Sequence, residues 1–147
     1  MTTVYNKLKE FKSKYPATVA WRMAKHAKVV EKYLNPGEEV RYAFPAQKGN
    51  SSIDIFSTFI VVLTNKRILL AQKRLLWGYT YLAITPDMFN DLTVSSGIIW
   101  GKLYIDTVKE TVMLSNISKT AMDDIETEIT EYMIVEKQKY AMNGKDR

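Results

Sequence analysis

The chain has 147 residues, enough for one domain with a single core, and its 46% hydrophobic and 25% charged residues are ordinary globular values that exclude a disordered or fibrous protein. With no Cys and one His, disulfides and zinc centres of the usual kind are excluded and no metal or other cofactor is expected. No apolar run approaches the roughly 18 residues of a membrane span and no apolar stretch follows the N-terminal lysines, so a soluble cytoplasmic protein is expected.

The net charge of +5 is unevenly spread: residues 1–33 hold eight Lys/Arg against two Glu, whereas the rest of the chain is close to neutral. Within that basic segment Val4, Leu8, Phe11 and Tyr15 fall on one side of a helix, with Lys7, Lys9, Lys12 and Lys14 elsewhere on its surface. Pro16 ends or kinks this helix. A second helix has Met23, Ala27, Val30 and Leu34 at helical spacing and stops at Asn35-Pro36-Gly37. His26, between Lys25 and Lys28, reads as a surface residue.

From Val40 the period changes to two, with Val40, Tyr42 and Phe44 alternating as in a half-buried strand. Residues 45–57, rich in Pro, Gly, Asn and Ser, read as a long loop. Phe59 to Leu63 is an uncharged β-branched and aromatic run that suits a strand buried on both faces. Asn65 tolerates the positive φ of a tight hairpin, and Arg67 to Lys73 forms the return strand. RILLAQKRLL also fits a helical period, so the strand assignment rests on its turn-rich flanks. Further strands follow at Gly78 to Thr85, around Leu92 and Val94, at Ile99 to Ile105 and around Val112 and Leu114. In the Ile99 to Ile105 strand, Ile99, Leu103 and Ile105 share a face, and Gly101 marks a bulge or a close backbone approach. The chain closes with a long helix striped by Met122, Ile125, Ile129, Met133 and Tyr140, with Ser118 or Thr120 as N-cap. Its acidic residues, including Asp123, Asp124 and Glu128, offer an electrostatic partner to the basic N-terminal segment.

Seven short strands between helices imply a mainly β (α+β) fold, closed into a sandwich or barrel to limit open edges and plugged by the terminal helix. The chain resembles the bacterial pleckstrin-homology-like domains, in particular the YokE-like group. The likeness lies in Leu63-Thr64-Asn65-Lys66-Arg67-Ile68, Ile84-Thr85-Pro86, Gly97-Ile98-Ile99-Trp100-Gly101-Lys102 and Ile105-Asp106-Thr107. It implies a PH-like seven-stranded antiparallel partly open barrel capped by a C-terminal helix over residues 36–142, preceded by a basic helical extension over 1–35. It also implies a non-enzymatic binding or self-assembly module, with a homo-oligomer and a protein or peptide among its partners. Lipid-binding relatives carry alternating basic residues on the second strand and a Trp in the final helix. Here the second strand is uncharged, and Trp21, Trp77 and Trp100 lie elsewhere, so phosphoinositide binding by that motif is not implied.

In this topology the connections between strands one and two, three and four, and six and seven gather at the open end. That makes Lys48, Lys73, Arg74, Trp77 and Lys109 the candidate ligand- or partner-binding residues. Lys66-Arg67 belongs to the opposite hairpin and reads as structural. Trp21, Met23, Ala27 and Val30 are the candidates for an oligomer or partner contact. The rival reading is a peripheral membrane protein that meets anionic headgroups through the same basic loops and the basic N-terminal helix. An enzyme is not expected: the one imidazole has no plausible nucleophile beside it, and loop aspartates such as Asp87, Asp91 and Asp106 are usual turn formers. Nucleic-acid binding lacks support, because the positive excess is confined to one segment and no recognition motif is present.

Overall fold

Two helices precede the strands: α1 (Thr3–Lys14) and α2 (Met23–Tyr33). Seven strands follow: β1 (Val40–Lys48), β2 (Thr58–Thr64), β3 (Ile68–Lys73), β4 (Tyr79–Ile84), β5 (Phe89–Ser96), β6 (Trp100–Thr107) and β7 (Thr111–Ser118). A long helix, α3 (Met122–Lys145), completes the chain. The structure, a computed structural model, describes residues 3–49 and 55–145, with 140, 141 and 143–145 described by backbone alone, so the Tyr140 side chain lies outside the description.

The strands form one antiparallel sheet in the order β4-β3-β2-β1-β7-β6-β5, curled into a half-barrel with β4 and β5 at its two edges. The expected partly open barrel with helices at both ends of the chain is therefore present. Its concave face holds the larger core, where Phe44, Val61, Leu63, Leu70, Leu103, Ile105 and Leu114 meet Met122, Ile125, Ile129 and Met133 of α3. Its convex face holds a second core, where Ala43, Ile60, Val62, Leu69 and Ala71 meet Val4 and Leu8 of α1 and Ala27, Val29 and Val30 of α2. Every residue of β2 is buried, alternately in the two cores, which is why that strand tolerates no charge.

β1 and β7 pair over only two residues, Gln47 with Ser115 and Lys48 with Leu114. Phe11 and Tyr15 of α1 join the larger core beside Phe44. Tyr15 and Tyr42 both donate to Asp124 Oδ2, at 3.0 and 3.1 Å, and Lys14 Nζ lies 3.8 Å from the same oxygen, so one carboxylate joins α1, β1 and α3. This is the predicted attraction between the basic segment and the acidic helix, reduced among the described residues to the Lys14–Asp124 ion pair. Burial, then the Asp124 charge, pushes the Tyr42 hydroxyl's pKa up.

The β2–β3 hairpin is tied to the α2–β1 connection. Arg67 donates to both oxygens of Glu38, at 3.0 and 3.1 Å, and to the Tyr33 carbonyl at 2.6 Å, while Thr64 Oγ1 donates to Glu38 Oε2 at 2.6 Å. Burial alone would raise the Glu38 carboxyl's pKa, but hydrogen bonds from Arg67, the Asn35 N–H and Thr64 outweigh it and hold the group below its ordinary value. A planar guanidinium in this fork makes Arg67 a structural residue.

Four local expectations are corrected. Residues 45–48 continue β1 instead of opening a loop; Pro45 is tolerated because β7 joins β1 only from Gln47, leaving one side of the strand without a partner there. Asn65 does not have positive φ and works through its amide, accepting from the Glu39 N–H at 2.9 Å and donating to the Gly37 carbonyl. Ile99 lies in the β5–β6 turn, 54% exposed, and Gly101 takes the inward position of β6. Neither Ser118 nor Thr120 caps α3: a 3₁₀ turn over Lys119–Ala121 intervenes, and the two hydroxyls bond each other at 2.9 Å.

Candidate functional site

Position in α2 sorts its residues into two faces. His26, Ala27, Val29 and Val30 are buried against the convex side of the sheet, whereas Lys25, Lys28 and Lys32, spaced i, i+3 and i+7, stay in solvent on one side of the helix. Along β3 the side chains alternate between the cores, so Leu69 and Ala71 face α2 and Lys73, two residues on, emerges on the same side. The result is a groove of about 300 Å³ lined by Lys25, Lys28, Lys32 and Lys73, with Val29, Tyr33 and Tyr79 completing it. The Tyr33 and Tyr79 hydroxyls hydrogen-bond each other, and the Tyr33 ring stacks on Tyr81 at 4.2 Å. Among the described residues no carboxylate lines the groove, and their ion pairs all involve other side chains.

The helix is pinned to the strand from below. His26 is fully buried, and its Nδ1 accepts the Lys73 backbone N–H at 2.8 Å. The neutral ring therefore carries its proton on Nε2, which makes no hydrogen bond of ordinary geometry among the described residues. Burial, then the Arg22 guanidinium, lowers the His26 pKa to about 4, with the Trp21 backbone opposing. The surface position expected for His26 is thus corrected: residue 26 shares the helical face of Met23, Ala27 and Val30, and that face is the packed one.

Beyond Lys73 the chain turns through Arg74 to Gly78, closed by the Arg74 N–H to the Gly78 carbonyl at 3.0 Å, with Gly78 at φ 80°. Leu75, Leu76 and Trp77 in this turn are 57%, 80% and 76% exposed. Arg74 Nε reaches Thr80 Oγ1 at 3.4 Å.

Of the residues proposed from sequence, Lys73, Arg74 and Trp77 come together here. Lys48 lies at the end of β1 with its ammonium 5.6 Å from the Phe59 ring centroid, and Lys109 lies in the β6–β7 turn, whose Val108 N–H bonds the Met88 carbonyl. Neither lines the groove. Ala27 and Val30 are buried by the chain's own sheet, Met23 packs partly against the same core, and Trp21 is half-buried, edge-on to Phe56 and under the Arg22 guanidinium. The lysines of α2 were not proposed from sequence, although their spacing, complementary to the Met23, Ala27 and Val30 stripe, was the available signal.

Chemically the groove offers cations and phenolic hydroxyls. Asp87, Asp91 and Asp106 each accept a local hydrogen bond, from Thr85 Oγ1, the Leu92 N–H and Thr111 Oγ1, as turn-forming aspartates do.

A family model described as a bacterial PH domain matches residues 34–131. Among solved structures the chain is similar to the C-terminal domain of an unknown protein from Leishmania infantum, at a TM-score of 0.53 and 14% identity, over 73% of this chain and 93% of that one. It is similar also to a pleckstrin homology domain from Shewanella amazonensis SB2B, at a TM-score of 0.46 and 16% identity, over 81% and 91% of the two chains. A further similar structure is a DUF1696 family protein with a pleckstrin-homology domain from Shewanella loihica PV-4, at a TM-score of 0.44 and 15% identity, over 76% and 92%. No curated protein matches the chain.

Proposed function

The chain belongs to the bacterial PH-domain family, and on that basis we propose that it is a non-enzymatic binding module whose ligand surface is the lysine-lined groove between α2 and the β3–β4 hairpin. Its ligand is a group bearing several negative charges, of the phosphate type. The observation that carries this reading is the convergence of Lys25, Lys28, Lys32 and Lys73 on one groove that no carboxylate among the described residues lines.

Four like charges gathered on one groove repel each other, and a multivalent anion turns that repulsion into attraction. Each charge-assisted hydrogen bond so formed contributes about 1.5–3 kcal/mol. Tyr79, itself exposed, supplies a hydroxyl that needs no counter-charge. The non-enzymatic character is supported by the burial of the single His in its neutral form and by the local engagement of the loop aspartates.

Isothermal titration with sodium tripolyphosphate tests the reading. The wild type is expected to bind with an affinity that falls as salt is raised from 50 to 300 mM. The K25Q/K32Q/K73Q variant, changed only at exposed positions, is expected to bind at least tenfold more weakly. Equal affinity in the two proteins, or none in either, removes the groove as an anion site.

A further inference from the structure

We infer that the anion taken by this groove is a nucleoside triphosphate, with its phosphates on the lysines and its base stacked on the tyrosines, and with little selectivity among bases. The inference rests on the reading of the groove as an anion site and adds the ring that carries the anion.

The lysines form only part of the groove. Val29, Tyr33 and Tyr79 complete its lining, and Tyr79 is 46% exposed. The Tyr33 and Tyr79 hydroxyls bond each other, so the pair has one hydroxyl proton left to offer and otherwise presents ring surface. An inorganic anion has no use for that surface. The tyrosines are also held in place: the Tyr33 ring stacks on Tyr81 at 4.2 Å and 22°, and its carbonyl accepts Arg67 at 2.6 Å. An aromatic wall fixed in this way loses little freedom when a flat ring is laid against it.

Charge and ring stand close enough to serve one molecule. Lys73 and Tyr79 are direct partners across β3 and β4, which puts an ammonium and a ring side by side. Lys25, Lys28 and Lys32 extend along α2 for about 10 Å, which suits a short chain of phosphates better than a single one. The groove's volume of about 300 Å³ lies at the small end of ligand sites, room for one nucleotide, whereas a nucleic-acid strand needs a track that continues. Adenine and cytosine edges are read by amides and carboxylates. Among the described residues no such side chain lines the groove, and stacking alone is tolerant of the base, because every base has a face.

Isothermal titration of ATP and of tripolyphosphate in one buffer tests the inference. Tripolyphosphate carries at least as much negative charge as ATP, so charge alone gives the nucleotide no advantage. The wild type is expected to bind ATP roughly tenfold more tightly, the difference that stacking supplies. GTP and CTP are expected within about tenfold of ATP, and a wider spread overturns the absence of base selectivity. Tyr79→Ala is expected to bring ATP down to the affinity of tripolyphosphate while changing the latter by less than about threefold, which also shows that the groove still forms. Tyr79→Phe is expected to keep the wild-type ratio. A Tyr79→Ala protein that keeps that ratio, or a Tyr79→Phe protein that loses it, overturns the Tyr79 ring as the platform. A wild type that binds tripolyphosphate as tightly as ATP overturns the nucleotide and leaves the anion groove standing; a wild type that binds neither overturns both.

Discussion

His26 illustrates how much one side chain is asked to do. It is the single titratable group of the α2–sheet interface whose ordinary pKa lies near neutrality, and burial beside Arg22 lowers it to about 4. A depressed histidine favours the folded protein above its unfolded pKa of about 6.5 and loses that contribution as pH falls toward the folded value, because the unfolded chain takes up the proton first. Stability is therefore expected to drop by roughly 1.5 kcal/mol between pH 6.5 and 5, a window above the range where carboxylates such as Glu38 titrate. His26→Asn keeps an acceptor for the Lys73 N–H and removes the titration; its urea midpoint is expected to stay flat across that window, and a slope equal to the wild type's refutes the assignment. The burial of His26 was legible in principle, since it lies between Met23, Ala27 and Val30 on the packed stripe; its lysine neighbours obscured this. The role of Asn65 was not legible, because its partners Gly37 and Glu39 come from a connection distant in sequence.

At the scale of elements, apolar periodicity, β-branched runs and turn signals together located the helices and strands, and the β3 strand prevailed over its helical alternative because β2 and β4 supply partners on both sides. Gly101 shows where local signals carry furthest. A bulge and a close approach were both readable from one glycine, and both are present: the β6–β7 register shifts between Gly101 and Leu103, and a Cβ at 101 would lie 2.4 Å from Met122 Sδ and 2.5 Å from its Cγ. Met122 is buried, so its side chain has to repack within the core to make room. Gly101→Ala is expected to cost roughly 1–3 kcal/mol in chemical denaturation, and less than half of that in a Met122→Ala background, where the collision is gone. Additive costs in the double variant exclude this contact as the reason for the glycine. Strand limits were less legible, since Pro45 reads as a loop signal unless it is known that β7 leaves that stretch of β1 unaccompanied.

For the molecule as a whole, the family match starts at residue 34, yet α1 and α2, which precede it, furnish one side of the convex core and part of the concave one. Val4, Leu8 and Val30 are completely buried, and each such side chain contributes about 1.5–3 kcal/mol. With Phe11 and Val29 added, the sum is comparable with the roughly 5–15 kcal/mol by which a domain is stable at all. A fragment lacking residues 1–33 is expected to bind the dye ANS strongly and to unfold without a cooperative transition; a fragment with the full-length urea midpoint disproves this dependence. Of the groove's lining only Lys73 was singled out from sequence, at a strand end whose direction topology fixes, whereas the α2 lysines reach the groove through packing of a helix that no local pattern positions.

The two-residue junction between β1 and β7 has a consequence for how the protein comes into being. Tyr15 and the carboxylate it serves are 109 residues apart in sequence, and the barrel side left short of strand pairing is joined by the first helix and the last. Under vectorial synthesis at about 5–20 residues per second, Phe11 and Tyr15 emerge many seconds before Asp124, Ile125 and Ile129 exist to receive them. The sheet can begin to form on the ribosome, but its concave core stays unsealed until α3 is available to cover it.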